Sequence, residues 1–266
     1  MKRRRIYAAT ILLFLLGCSH PIRHDNLFTY QRTETSYCDI FSQGEIRKVV
    51  ADDFDKIYAN LSRFLSQTIS LNIQTCRVKI GILPFQNTVC DFSKRGTTTF
   101  CYVKRKTIYL LDIDNLPKSI IDTYGYAPDD YYNNAFTHEL VHVFTIPNNR
   151  FSGSLCMEER IANFCSFLDF TKENIELSQE AKKALHENIQ YSFPDRKIKD
   201  IMRHSLNALQ ARDTWEVSFF MLCLFETNNI DMLKMLITSK SMSSFIDVSR
   251  WNQNNTIAFV DWIRAQ

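Results

Sequence analysis

The sequence predicts an α+β fold, with a small, mostly antiparallel sheet and one helix ahead of a helical lobe. Three observations carry this expectation. Runs rich in β-branched and aromatic residues are concentrated between residues 76 and 115. After "YGYAPDD" (124–130) the apolar residues recur at helical spacing instead. A chain of 266 residues with 45% hydrophobic residues, only 6 Gly and 6 Pro can bury a sizeable core and has little room for linkers. Strands followed by helices, rather than alternating with them, are the α+β pattern. The expected organisation is an export segment over 1–17, a tether over 18–36 and one domain over 37–266. That domain divides into an α/β lobe (37–128) and a helical lobe (129–266).

The N-terminus, "MKRRRIYAATILLFLLGC", has a basic start, a short apolar run from Ile6 to Leu16, and then Gly17-Cys18. The run is short for a bilayer span and has the shape of an export signal. A plain signal peptide or an uncleaved anchor has the same outline. "LLGC", however, resembles the lipobox of bacterial lipoproteins, which implies that Cys18 becomes the first mature residue and carries the lipid. Several acyl chains on one residue give stable membrane attachment. Ser19 resembles the outer-membrane sorting pattern, so the chain is expected in the bacterial cell envelope, on its periplasmic or surface face. Loss of Lys2, Arg3, Arg4 and Arg5 with the leader reduces 32 basic residues to 28 against 29 acidic ones, a net charge of −1. Nucleic acid is therefore not an expected partner.

Within the α/β lobe, "SQGEIRKVVADDFDKIYANLSRFL" opens with Ser42 and Glu45 in capping-box spacing and carries Ile46, Val50, Ile57, Leu61 and Phe64 at helical intervals. "CRVKIGILPF", the segments around Cys90 and Cys101, and "KTIYLLDID" read as strands. A turn about Arg95–Gly96 sets Cys90 opposite Cys101, either as a disulfide or as two buried thiols. Seven cysteines follow Cys18, an odd number, and in an oxidising compartment some of them should pair. "KRK" at 104–106 is too short for a nucleic-acid patch.

The helical lobe begins with a helix over about 130–145, capped by Asp129 or Asp130 and stopped before Pro147. "LCMEERIANFCSFLDF" (155–170) is the next, followed by "SQEAKKALHENIQ", "DRKIKDIMRHSLNALQ", "TWEVSFFMLCLF" and "IDMLKMLI". The first contains "HELVH". His138 and His142, four apart, stand one above the other on a helix and can share one zinc ion, while Glu139 can reach a water beside it. The plainer reading is a buried helix with two hydrogen-bonded histidines. On the following helix Ile161, Phe164, Cys165 and Leu168 form one apolar side. Glu159 points nearly opposite, on a stripe with Ala162, Asn163 and Ser166 whose small side chains allow another helix to approach. Glu158 lies at the edge of the apolar side. Glu159 is therefore the candidate third ligand, against the alternative of an exposed first-turn glutamate favoured by the helix dipole.

"HELVH" followed by "EERIA" resembles the gluzincin metallopeptidases, the thermolysin-like clan, and more weakly the peptidase-MA-like proteins. The resemblance spans about residues 76–240, with specific motifs only at 138–142 and 159–162. It implies a zincin-like fold, one Zn²⁺ held by His138, His142 and Glu159, Glu139 as general base, and a peptide or protein substrate cleaved as by an endopeptidase. It also implies that "KTIYLLDID" is the edge strand. Arg160 stands where Gly is common in that family, and Trp215 where a Tyr would serve a tetrahedral intermediate. Tyr131, Tyr132 and His204 are the substitutes within the chain. No G-x-M-E-N-like segment is present, against the aminopeptidase branch. A non-catalytic surface lipoprotein using a peptidase-like scaffold as a binding module is the alternative, and an exported helical protein without metal a third. The oligomeric state is not legible.

Overall fold

A computed structural model of the chain describes residues 27–86, 99–116, 128–146, 155–179, 181–183, 211–238, 261–262 and 265. The export segment 1–17 with Cys18, Cys90, and the expected helix over 195–210 with His204 lie outside the described residues. In chain order the elements are β1 (Gln31–Glu34), β2 (Cys38–Ser42), α1 (Lys48–Arg63), β3 (Val78–Leu83), β4 (Thr99–Tyr102) and β5 (Thr107–Leu111). Then come α2 (Pro128–Thr145), α3 (Leu155–Ser166), the short strands β6 (Leu168–Asp169) and β7 (Glu176–Leu177), α4 (Ala211–Glu226) and α5 (Ile230–Thr238). The class is α+β. No helix among the described residues is long and apolar enough to cross a membrane.

The five-stranded sheet has the order β1-β2-β3-β5-β4 and is mixed, not mostly antiparallel. β2, β3 and β5 run parallel, and only the flanking β1 and β4 are antiparallel to their neighbours. For β2 and β3 the reason is α1, the crossover helix that a parallel pair requires; β3 and β5 are joined through the segment that contains β4. β2 precedes that helix in "CDIFS", where a capping box was expected. Ser42 instead ends β2 and donates its hydroxyl to the Gly44 carbonyl, and α1 starts at Lys48 without a side-chain cap. Residues 27–36, expected in the tether, form a 3-10 turn at Leu27–Thr29 and β1, paired to β2. β5, expected at the edge, lies between β3 and β4, so β4 is the outermost described strand on that side. "KRK" at 104–106 makes the β4–β5 turn, where Lys106 adopts the left-handed conformation at φ 54°.

Alternation fixes the two faces of the sheet. Ile40, Ile80 and Ile108 are in register and fully buried on one. On the other, Phe41, Gly81, Tyr109 and Phe100 form a cross-strand row. A Cβ on Gly81 would lie 3.0 Å from both the Leu27 Cδ2 and the Tyr109 Cδ1. Gly81→Val should therefore overpack this face and cost about 1–3 kcal/mol, read as a lower denaturation midpoint. An unchanged midpoint would show that the row has slack.

α2 is wedged between the sheet, α1 and α3. Phe136 meets Phe54 of α1 at 4.4 Å between ring centres, and Phe144 meets the edge of Tyr58 at 4.9 Å. The Tyr131 and Tyr132 hydroxyls accept hydrogen bonds from the Leu111 and Ile113 backbone N–H groups at 2.9 and 3.1 Å, pinning the first turn of α2 to the end of β5. Pro128 opens the helix, a position where its missing N–H costs nothing. Asp129 and Asp130 thus sit inside the first turn and neither is the cap. At the end of α1, Phe64 packs against Phe164, Phe170 and Phe225, joining α1 to α3 and α4.

Cys38, Cys76, Cys165 and Cys223 are thiols, so these four do not supply the expected pairing. Burial, reinforced by a nearby carboxylate, pushes Cys38 and Cys223 up to about 12, and burial alone raises Cys165. Such thiols are inert. The proposed Cys90–Cys101 pairing lies outside the described residues on its Cys90 side.

Candidate metal centre

The site is built from the seam between α2 and α3. On α2 the four-residue spacing places His138 above His142, with the rings edge-on at 5.1 Å between centres. Phe136, Leu140, Val143 and Phe144 are buried around them, so neither imidazole is free to swing out. His138 and His142 are only 3% and 6% exposed. α3 approaches through its stripe of small residues: Ala162 is fully buried, and Glu159 reaches both histidines.

Three distances define the centre. His138 Nε2 and His142 Nε2 are 3.4 Å apart. Glu159 Oε2 is 3.4 Å from His138 Nε2, and Glu159 Oε1 is 3.5 Å from His142 Nε2. A tetrahedral ion with bonds of ~2.0–2.1 Å holds its ligands roughly 3.3–3.4 Å apart, close to the separation of the two imidazole nitrogens, while each imidazole faces a different oxygen of Glu159. Charge-assisted hydrogen bonds would draw the same groups to about 2.7–2.9 Å. Glu159 Oε2 is buried and makes no hydrogen bond among the described residues. Two nitrogens and a carboxylate that converge at this spacing, without closing on one another, fit a cation between them. Among the described residues no other set of three His, Cys, Asp or Glu side chains converges in this way. The group can hold a metal ion; the geometry does not choose which one.

Electrostatics within the cluster agree. Burial penalises a charge on His138, yet the Glu159 carboxylate, with Glu139 and a hydrogen bond to the Asn163 side chain, holds its pKa above the usual imidazole value. His142 is held below it by burial and by the proximity of His138. Burial works against the Glu159 anion, but the two imidazoles lower its pKa overall. Half-buried Glu158, beside that anion, is pushed up to about 7. These directions fix how metal affinity should vary with pH. A divalent ion must displace the His138 proton, so affinity should begin to fall already above the ordinary imidazole value of 6.5 as pH is lowered. His142 should join the competition only at lower pH. Calorimetric titration with zinc across pH 5–8 checks this, and an affinity flat over that range would contradict it.

Glu139 lies beside the ligands without joining them. Its Oε1 accepts a hydrogen bond from the Thr99 hydroxyl of β4 at 3.0 Å, and both side chains are buried. Arg160, in the place where the resembled family commonly has Gly, is buried next to Glu159, and its backbone carbonyl accepts the Ser218 hydroxyl of α4 at 3.2 Å. The Tyr131 and Tyr132 hydroxyls lie at the end of β5, where they accept the Leu111 and Ile113 N–H groups. Trp215 falls on α4, its side chain outside the described residues.

The structure thus brings together His138, His142, Glu139 and Glu159. Two partners escaped the sequence reading. Asn163 was assigned to the small stripe but not to His138. Thr99 stands in a run of three threonines whose facing depends on a register the sequence does not reveal. Comparison of the chain with family models and with curated proteins finds no match.

Proposed function

We propose that the chain is a zinc-dependent peptidase of gluzincin type, exported and anchored to the bacterial envelope through lipid on Cys18. The observation that carries the catalytic part is the convergence of His138, His142 and Glu159 on one point that could hold a metal ion, with the Glu139 carboxylate buried beside it. When bound, zinc would supply Lewis acidity and bring the pKa of water towards ~7. The chain's own residues do the rest. His138, His142 and Glu159 set the position and charge of the centre. Glu139 takes a proton from the attacking water and returns it to the leaving amine. The apolar packing of α2 excludes bulk water and keeps these groups rigid. A purely structural zinc site would have no use for a general base beside it.

The test is cleavage of a casein-derived peptide pool by purified, zinc-loaded protein, lost on chelation and regained with zinc. Metal binding without cleavage would favour the second reading, a non-catalytic surface lipoprotein with a peptidase-like scaffold. That reading draws on Trp215, which stands where the resembled family commonly has a Tyr to serve a tetrahedral intermediate. Labelled palmitate incorporated equally by the parent and by Cys18→Ser would contradict the lipid anchor.

A further inference from the structure

We infer that Thr99 is a positioning residue, holding the Glu139 carboxylate in the orientation from which it can act on a water at the metal centre. This rests on the hydrolase reading for its catalytic consequence, but the hydrogen-bonded pair itself does not. Thr99 and Glu139 are 40 residues apart and come from different layers, the outermost described strand and the central helix. Their contact is 3.0 Å long, with Thr99 only 2% exposed and Glu139 6%.

The register explains why the hydroxyl faces the helix. Thr99 is opposite Leu110, a buried residue of β5, and strand alternation turns Phe100 to the other face, where it stacks on Tyr109 at 6.5 Å. A one-residue slip of β4 would put a phenyl ring against Glu139. The chemistry is equally constrained. A carboxylate has two oxygens, and a donor fixed on Oε1 restricts rotation about the last side-chain bond, leaving Oε2 for other work. A β-branched threonine in a strand has few rotamers, so its hydroxyl is aimed at little entropic cost. Positioning of a general base within hydrogen-bond reach of its proton is what its contribution to rate depends on.

Thr99→Val keeps the shape and removes the donor, while Thr99→Ser keeps the donor. Thr107→Val is the control: Thr107 begins the neighbouring strand, and its hydroxyl donates to the Arg105 carbonyl in the β4–β5 turn rather than to Glu139. In zinc-loaded protein, Thr99→Val should retain one ion per chain and a nearly unchanged KM while kcat falls about 10–100-fold. Thr99→Ser should recover most of the loss, and Thr107→Val should show none. In metal-free protein, the Tm losses of Thr99→Val and Glu139→Ala should exceed that of the double variant by about 2–4 °C. Additive Tm losses, with kcat unchanged in Thr99→Val, would overturn the inference. So would a rise in kcat, which would make the bond a restraint on Glu139. A parent that binds one ion and cleaves nothing contradicts the hydrolase reading, whereas the metal-free coupling stands or falls separately.

Discussion

Glu139→Gln is expected to lower peptide hydrolysis by roughly two to four decades while one metal ion stays bound per chain. Glu139 is not among the three converging donors, so the substitution leaves the ligand set intact. The amide is close to isosteric and its oxygen can still accept from Thr99, so the buried contact to β4 survives. What disappears is the capacity to take a proton. A general acid–base group contributes about this much to rate, which makes the loss specific to chemistry rather than to folding. The measurements are metal content and kcat on the same preparation. A variant as active as the parent would remove Glu139 from the mechanism; one that lost its metal would show that Glu139 supports the centre in another way.

The second large effect concerns Glu159. Glu159→Ala removes the only contribution of α3 to the cluster of donors and the only negative charge among the three ligands. Loss of a partner behind a ligand commonly weakens metal binding by ~10–100-fold, and loss of a ligand should exceed that. Stability should respond in both states. Without metal, the variant loses the carboxylate that the two imidazoles stabilise, so its Tm should fall below the parent's. With zinc, the parent should gain Tm through binding to the folded state alone, and the variant should gain little. Thermal scans with and without zinc read both. A variant stabilised by zinc as strongly as the parent would take Glu159 out of the ligand set.

Where interactions were local, the sequence was a good guide. His138 and His142 are one helical turn apart, so their convergence follows from helix geometry alone, and Glu159 follows from the wheel of a single second helix. Of the apolar positions read from spacing, Val50, Ile57 and Leu61 on α1 and Phe64 just after it are buried, while Ile46 precedes the helix and is half-buried. What failed depended on pairing between distant segments. "CDIFS" is too short and too close to Ser42 and Glu45 to be told from a helix approach, and without it the parallel crossover around α1 could not be seen. β1 carries Arg32 and Glu34 in a polar stretch, and only its ladder with β2 makes it a strand. β5 was expected at the edge from the family resemblance, and what buries it is pairing with β3, distant in sequence, on one side and with β4 on the other. Thr99 is invisible for the same reason, since its value depends on which face of β4 it takes.

The most direct measurement is X-ray absorption at the zinc edge of the purified, zinc-loaded chain. The account predicts one ion per chain with two imidazole nitrogens and light oxygen scatterers at about 2.0–2.1 Å, one of them an exchangeable water, and no sulfur. A sulfur shell at about 2.3 Å, or a protein that keeps no zinc after gel filtration, would contradict it.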